Sequence, residues 1–229
     1  MVVGTLFGNQ KSFRVQKVLV AAKYAGKDLA LQEEDFESTS SLTKKIPICP
    51  GHPGLDVQAP DGQTKHLCES LSIAYFISDD AFKGGNCELA KAELLQWLYF
   101  GDHDLLPVIF NHVFPILGLM EKPTVDQAGK IQAELFRLLD ILNTFLKTST
   151  FFVGERISLA DISLCLNLVL LFERGLLKQD RDKFTYLMRW FNTIINQNLV
   201  KEIIGEIQLC EKLQELPVSS ETGPTKSKG

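Results

Sequence analysis

The sequence predicts a small α+β unit over residues 1–79 followed by an all-helical unit over residues 88–216. Three observations predict it. Short strand-like runs separated by Gly and Pro signals occur only in the first third of the chain. Beyond residue 88 the apolar residues recur at helical spacing and no strand pattern appears. Between the two, residues 80–87 carry Gly84-Gly85 and read as a linker.

Thr5-Leu6-Phe7 is the first strand. Residues 12–24 follow as a helix with Val15, Val18, Leu19 and Ala22 on one face, and Gly26 closes it as a C-terminal glycine does. Leu29-Ala30-Leu31 is a second strand, and the polar run 32–45 is a loop or a weak helix. Residues 46–49 and 65–68 read as the strands of a hairpin, with Pro50-Gly51, Pro53-Gly54 and Asp61-Gly62 as turns between them. Ser70 then caps a helix that buries Leu71, Ile73, Ala74 and Ile77. Strand, helix, strand, hairpin and helix in that order is a thioredoxin-like arrangement.

In the second unit, residues 88–99 are helical and continue, bent, through Pro107 and Pro115. Thr124 with Gln127 is a capping box that opens a helix to about Lys147. Ser158 with Asp161 is a second box, with Ile157 and Ile162 placed as a hydrophobic staple. The run after it, to Phe172, is almost wholly apolar, so this helix is central and buried. Residues 181–195 and 201–213 complete five or six helices. Residues 217–229 are small, polar and basic and cannot pack a core. Such a tail reads either as the start of a linker in a longer protein or as a plain disordered terminus.

Composition excludes several classes. The 229 residues carry a net charge of −4, without the basic excess of a nucleic-acid surface. No apolar run has the length of a membrane span, and the start lacks a secretory pattern. The five cysteines form neither a disulfide framework nor a zinc spacing, which suits a reducing cytoplasm. The four histidines have no ligand spacing. Asp102-His103-Asp104 is the one suggestive cluster, and on a helix its side chains diverge, so capping or interdomain hydrogen bonding accounts for it better than a metal.

Three motifs resemble the glutathione transferase superfamily: Lys45-Ile46-Pro47 is similar to its strand opening with a cis-proline, Glu69-Ser70 to the pair that begins its γ-glutamyl-binding helix, and residues 154–161 to the cap of its central helix. A closer resemblance is to the gamma subunits of eukaryotic translation elongation factor 1. It is carried by Gln96-Trp97, Asp104-Leu105-Leu106-Pro107, residues 113–120, Arg189-Trp190-Phe191 and Leu209-Cys210-Glu211-Lys212. The turn-rich stretch 50–64 is longer than that family usually has.

The resemblance implies a non-catalytic scaffold that docks the N-terminal region of the guanine-nucleotide exchange subunit. Its other implications are a serine-type glutathione transferase, or a domain associated with an aminoacyl-tRNA synthetase complex. A homodimer is the alternative to a heteromeric contact. A transferase needs a hydroxyl near the first strand to lower the thiol pKa of glutathione. Tyr24 and Cys49 lie too far along the chain, leaving Ser12, which also reads as a plain cap of the first helix. If glutathione binds, the resemblance places Ile46, Pro47, Glu69 and Ser70 around it, Ser70 offering a helix N-terminus to a carboxylate. Phe100, Phe110, Phe114 and Trp190 are candidate partner contacts, with core packing the alternative for each.

Overall fold

The computed structural model describes residues 2–34 and 53–213. Four strands, β1 (Val2–Phe7), β2 (Asp28–Gln32), β3 (Gly54–Gln58) and β4 (Thr64–Cys68), form one sheet in the order β2-β1-β3-β4. β1 is parallel to β2 and antiparallel to β3, and β3 is antiparallel to β4. Helix α1 (Phe13–Tyr24) makes the crossover that parallel strands require. Gly26, at φ 60, takes the left-handed turn after it. Gly4 is a glycine for space: a Cβ there would meet the Asp56 carbonyl oxygen of β3 at 2.3 Å.

The hairpin differs from the expected one. The strand read at 46–49 lies outside the described residues. The partner of β4 is β3, with Gly54 opposite Cys68 and Gln58 opposite Thr64. Pro53-Gly54, read as a turn, instead opens a strand. Proline is tolerated at a strand start, and Gly54 then pairs with Phe7 on one side and Cys68 on the other. Asp61-Gly62 does form the turn, with Gly62 at φ 78. Helix α2 (Ser70–Ile77) is capped one residue earlier than read: Glu69 holds the N-cap position and Ser70 is the first helical residue.

Eight further elements follow: α3 (Glu88–Tyr99), a π-helical turn (Phe100–Leu105), α4 (Leu106–Ile116), α5 (Val125–Phe145), α6 (Leu159–Arg174), α7 (Lys178–Arg181), α8 (Thr185–Ile195) and α9 (Asn198–Ile204). The connecting stretch 78–87 is anchored at Phe82, which is buried, stacks on Tyr24 at 4.7 Å and accepts the Leu159 N–H at 3.0 Å. Passage through Pro107 and Pro115 stays helical. The π-turn widens the helix, Pro107 falls in the first turn of α4 and Pro115 in its last. Thr124 and Gln127 form a reciprocal cap on α5. At the centre, α6 packs against α1, α3, α4 and α8.

Two helices end differently from the reading. The segment 181–195 is broken after Arg181. The first amides of α8, those of Tyr186 and Leu187, are capped by Asn143 Oδ1 from α5 at 3.0 and 3.2 Å. The helix read at 201–213 is α9, which starts earlier and stops at Ile204. Gly205, at φ 75, turns the chain out, and residues 205–213 run on as a non-helical strap. The strap is held by the buried Arg181, whose Nη1 donates at 2.5 Å to the carbonyls of both Leu176 and Cys210. Its Nη2 reaches Glu211 at 3.2 Å. Arg181→Met is therefore expected to destabilise the protein by about 1–3 kcal/mol, as buried acceptors left unpaired do. Limited proteolysis should then cut within 205–213, and an unchanged cleavage pattern would refute this account of the strap.

Candidate functional site

The loop after β1 delivers Ser12 by local geometry. Asn9 forms an Asx turn, its Oδ1 accepting from Lys11 N at 2.8 Å and its carbonyl from Ser12 N at 2.9 Å. Ser12 takes the N-cap position of α1 in extended conformation, but its hydroxyl makes no capping hydrogen bond. Ser12 thus holds the cap position by its backbone without a side-chain capping bond, and it lines a cleft.

That cleft has a volume of ≈ 750 Å³ and lies between the N-terminus of α1, helices α4 and α6, and the start of the strap. Its floor is apolar. Phe13 meets Phe110 edge-on at 6.2 Å, and Phe110 stacks on Phe114 at 4.6 Å. Leu166, Val169 and Leu170 come from α6, and Ile204 and Ile207 from α9 and the strap. Lys11 and Arg14 stand on the α1 side, Glu173 and Glu206 on the other. Burial pushes the Glu173 carboxyl above its usual range, against the opposing pull of Arg174 and a backbone hydrogen bond from Gln208.

Of the four residues expected to hold glutathione, Glu69 and Ser70 lie within the described residues. Ile46 and Pro47 lie outside the described residues. The proline that opens the strand next to β4 is the buried Pro53, and the register of β3 on β4 sets it beside Glu69. The sequence reading assigns a strand-opening role to Pro47 and puts Pro53 in a turn, whereas strand pairing sets Pro53 at the start of β3. Glu69 has φ 68, the left-handed region that a residue with a Cβ rarely adopts. Ser70 is buried. Glu69 lines a second cleft, of ≈ 440 Å³, with Tyr75, Leu95, Tyr99, Asp102 and His103. Ser12 and Glu69 thus sit in different cavities.

An ion pair lies between the two clefts. Lys17 of α1, completely buried, donates to Asp102 Oδ1 at 2.8 Å. Asn167 Nδ2 of α6 donates to the same oxygen at 2.9 Å and to the Gly101 carbonyl at 3.0 Å. Phe13, whose ring lies 5.4 Å from Lys17 Nζ, faces the first cleft, while Asp102 faces the second. Burial holds the Lys17 ammonium below its usual pKa despite the pull of Asp102. Burial alone would raise the Asp102 carboxyl, but Lys17, then Asn167 and Arg14, outweigh it and hold it below the carboxylate range. The pair accounts for Asp102 in the Asp102-His103-Asp104 cluster as an interdomain bond. His103 stacks on Tyr99 at 5.6 Å. Sequence reasoning missed Lys17, and the one signal was a lysine on the apolar face of α1.

The helix start at Ser158 is structural. Ser158 caps α6, and Asp161 accepts from Ser158 N at 2.9 Å and Ser158 Oγ at 2.7 Å. Ile162 is fully buried and Ile157 packs half-buried against the core. Trp190 is buried, whereas Phe110 and Phe114 are half-buried and line the first cleft.

The glutathione S-transferase, C-terminal domain family matches residues 105–198. The chain is 36% identical over 219 residues to an elongation factor 1-gamma of Carassius auratus, covering 94% of this chain and 49% of that one. It is 34% identical over 232 residues to the Homo sapiens elongation factor 1-gamma, covering 99% and 52%. It therefore spans about half the length of the curated relatives it matches. Among solved structures, the GST-like domain of elongation factor 1-gamma from Saccharomyces cerevisiae superposes with a TM-score of 0.80 at 23% identity, over 95% of this chain and all of that one.

Proposed function

We propose that the chain is the glutathione transferase-like part of an elongation factor 1-gamma, acting as a non-catalytic interaction module of the translation elongation factor 1 assembly in the cytoplasm. Its partner is the N-terminal region of the guanine-nucleotide exchange subunit. What supports this reading is the likeness to elongation factor 1-gamma over nearly the whole chain, in sequence and in fold. Within the site, Ser12 lines one cleft and Glu69 another, and Asp102, the partner of Lys17, lines the second. A hydroxyl that activates a bound thiol has to stand within hydrogen-bond reach of it.

Calorimetric titration of the chain with the exchange subunit's N-terminal region is expected to show saturable binding, and titration with glutathione to show none. The reverse outcome, with turnover of a chloronitrobenzene substrate lost in Ser12→Ala, would overturn the reading in favour of a serine-type transferase. One observation favours that second reading: the Ser12 hydroxyl is not used to cap its own helix.

A further inference from the structure

The half-buried aromatic floor of the Ser12 cleft is not used by either reading of Ser12, and its walls have a helical spacing of their own. Phe110 and Phe114 are one turn apart on α4, and Leu166, Val169, Leu170 and Glu173 make the matching row on α6. Two adjacent helices with such rows leave a groove into which a third helix packs. The volume, ≈ 750 Å³, is on the order of two turns of a helix ~10 Å across. The rim carries both signs, Lys11 from the loop before α1 and Arg14 from α1 against Glu173 and Glu206 from α6 and the strap. Glu173 is held partly out of water, which favours a cationic neighbour arriving from outside.

We propose that this cleft is a docking groove for an amphipathic helix of a protein partner. An apolar stripe would seat on Phe110, Phe114 and Val169, with acidic side chains toward Lys11 and Arg14 and basic ones toward Glu173 and Glu206. The inference rests on the scaffold reading and adds the place and chemistry of the contact. The strap supplies one wall through Ile207, so the Arg181 clamp helps to shape the groove.

The test titrates the exchange subunit's N-terminal region against four forms of the chain: unmodified, Lys11→Glu/Arg14→Glu, Val169→Asp, and Val125→Asp. Val125 is 93% exposed at the start of α5 and lines a separate groove. The expected result is at least a tenfold loss of affinity in the first two variants and none in Val125→Asp. Amide exchange of the unmodified chain should slow over residues 110–114 and 204–207 on binding. That exchange readout stands even if Val169→Asp does not fold. If the partner binds all forms alike, or only Val125→Asp loses it, the groove is overturned and the scaffold reading survives. No binding to the unmodified chain overturns both. Binding of S-hexylglutathione that is lost in Val169→Asp, with partner binding unaffected, assigns the cleft to a small ligand and overturns the inference.

Discussion

Asp161→Ala is expected to destabilise the protein by about 3–4 kcal/mol, well above the ~1 kcal/mol of an ordinary lost cap. Asp161 is fully buried and its two oxygens serve four donors. Besides Ser158 N and Oγ, Phe152 N donates to Oδ1 at 3.1 Å and Trp190 Nε1 at 2.9 Å. The side chain therefore ties the 151–157 loop, the start of α6 and the middle of α8 together. Truncation leaves all four donors without their acceptor in the core, where no water replaces it. Asp161→Asn keeps one acceptor oxygen for Phe152 and Trp190 and should recover part of the loss. Urea unfolding of the three forms tests this. A loss near 1 kcal/mol in Asp161→Ala would mean that only the cap matters. Burial pushes the Asp161 carboxyl up, against hydrogen bonds that pull it down. Its native value therefore lies above its unfolded one of about 3.9. The native state binds the extra proton between those values, so this group's contribution to stability falls as pH rises through that window.

The second large effect is an asymmetry in the Lys17–Asp102 pair. Asp102→Ala is expected to cost about 3–5 kcal/mol, because it strands a fully buried ammonium. Lys17→Met should cost less, about 1–2 kcal/mol, since the Asp102 side chain is 20% exposed and keeps Asn167 as a donor. The double variant Lys17→Met/Asp102→Leu should be more stable than Asp102→Ala alone, since no buried charge is left unpaired. Equal losses in the two single variants would show that Lys17 is not held as a cation. The pH dependence has a definite sign. The native Asp102 value lies below its unfolded value of about 3.9. The stability it contributes is fully present above that unfolded value and is lost as pH falls through the native one. The deficit of Lys17→Met should therefore shrink in acid, as the unmodified protein loses the same attraction.

Legibility followed the range of the interaction. The Thr124 and Ser158 caps, the Gly26 stop and the limits of α3 were readable because each depends on residues three or four apart. Pro53 was not, because pairing of β3 with β1 and β4 decides which proline opens the strand. The end of α9 was misread because the strap's polar groups find Phe172 O and Arg181 outside any helix. The break before α8 went unseen because its cap, Asn143, lies on another helix.

By itself, then, the sequence determined the architecture: strands and helices in a glutathione transferase-like order, a central helix capped at Ser158, and a resemblance that fits an elongation factor subunit. Those properties reside in periodicity and in contacts within one turn. Only the tertiary structure decided the site. Lys17 and Asp102 are 85 residues apart, and Asp161 and Trp190 are 29 apart. The cleft at Ser12 exists only where α1, α4 and α6 meet, and the one at Glu69 only where α2 meets α3 and the π-turn. A chain written in one dimension carries its caps beside the residues they cap, whereas the partners of a buried charge and the walls of a cleft exist only after packing has chosen them.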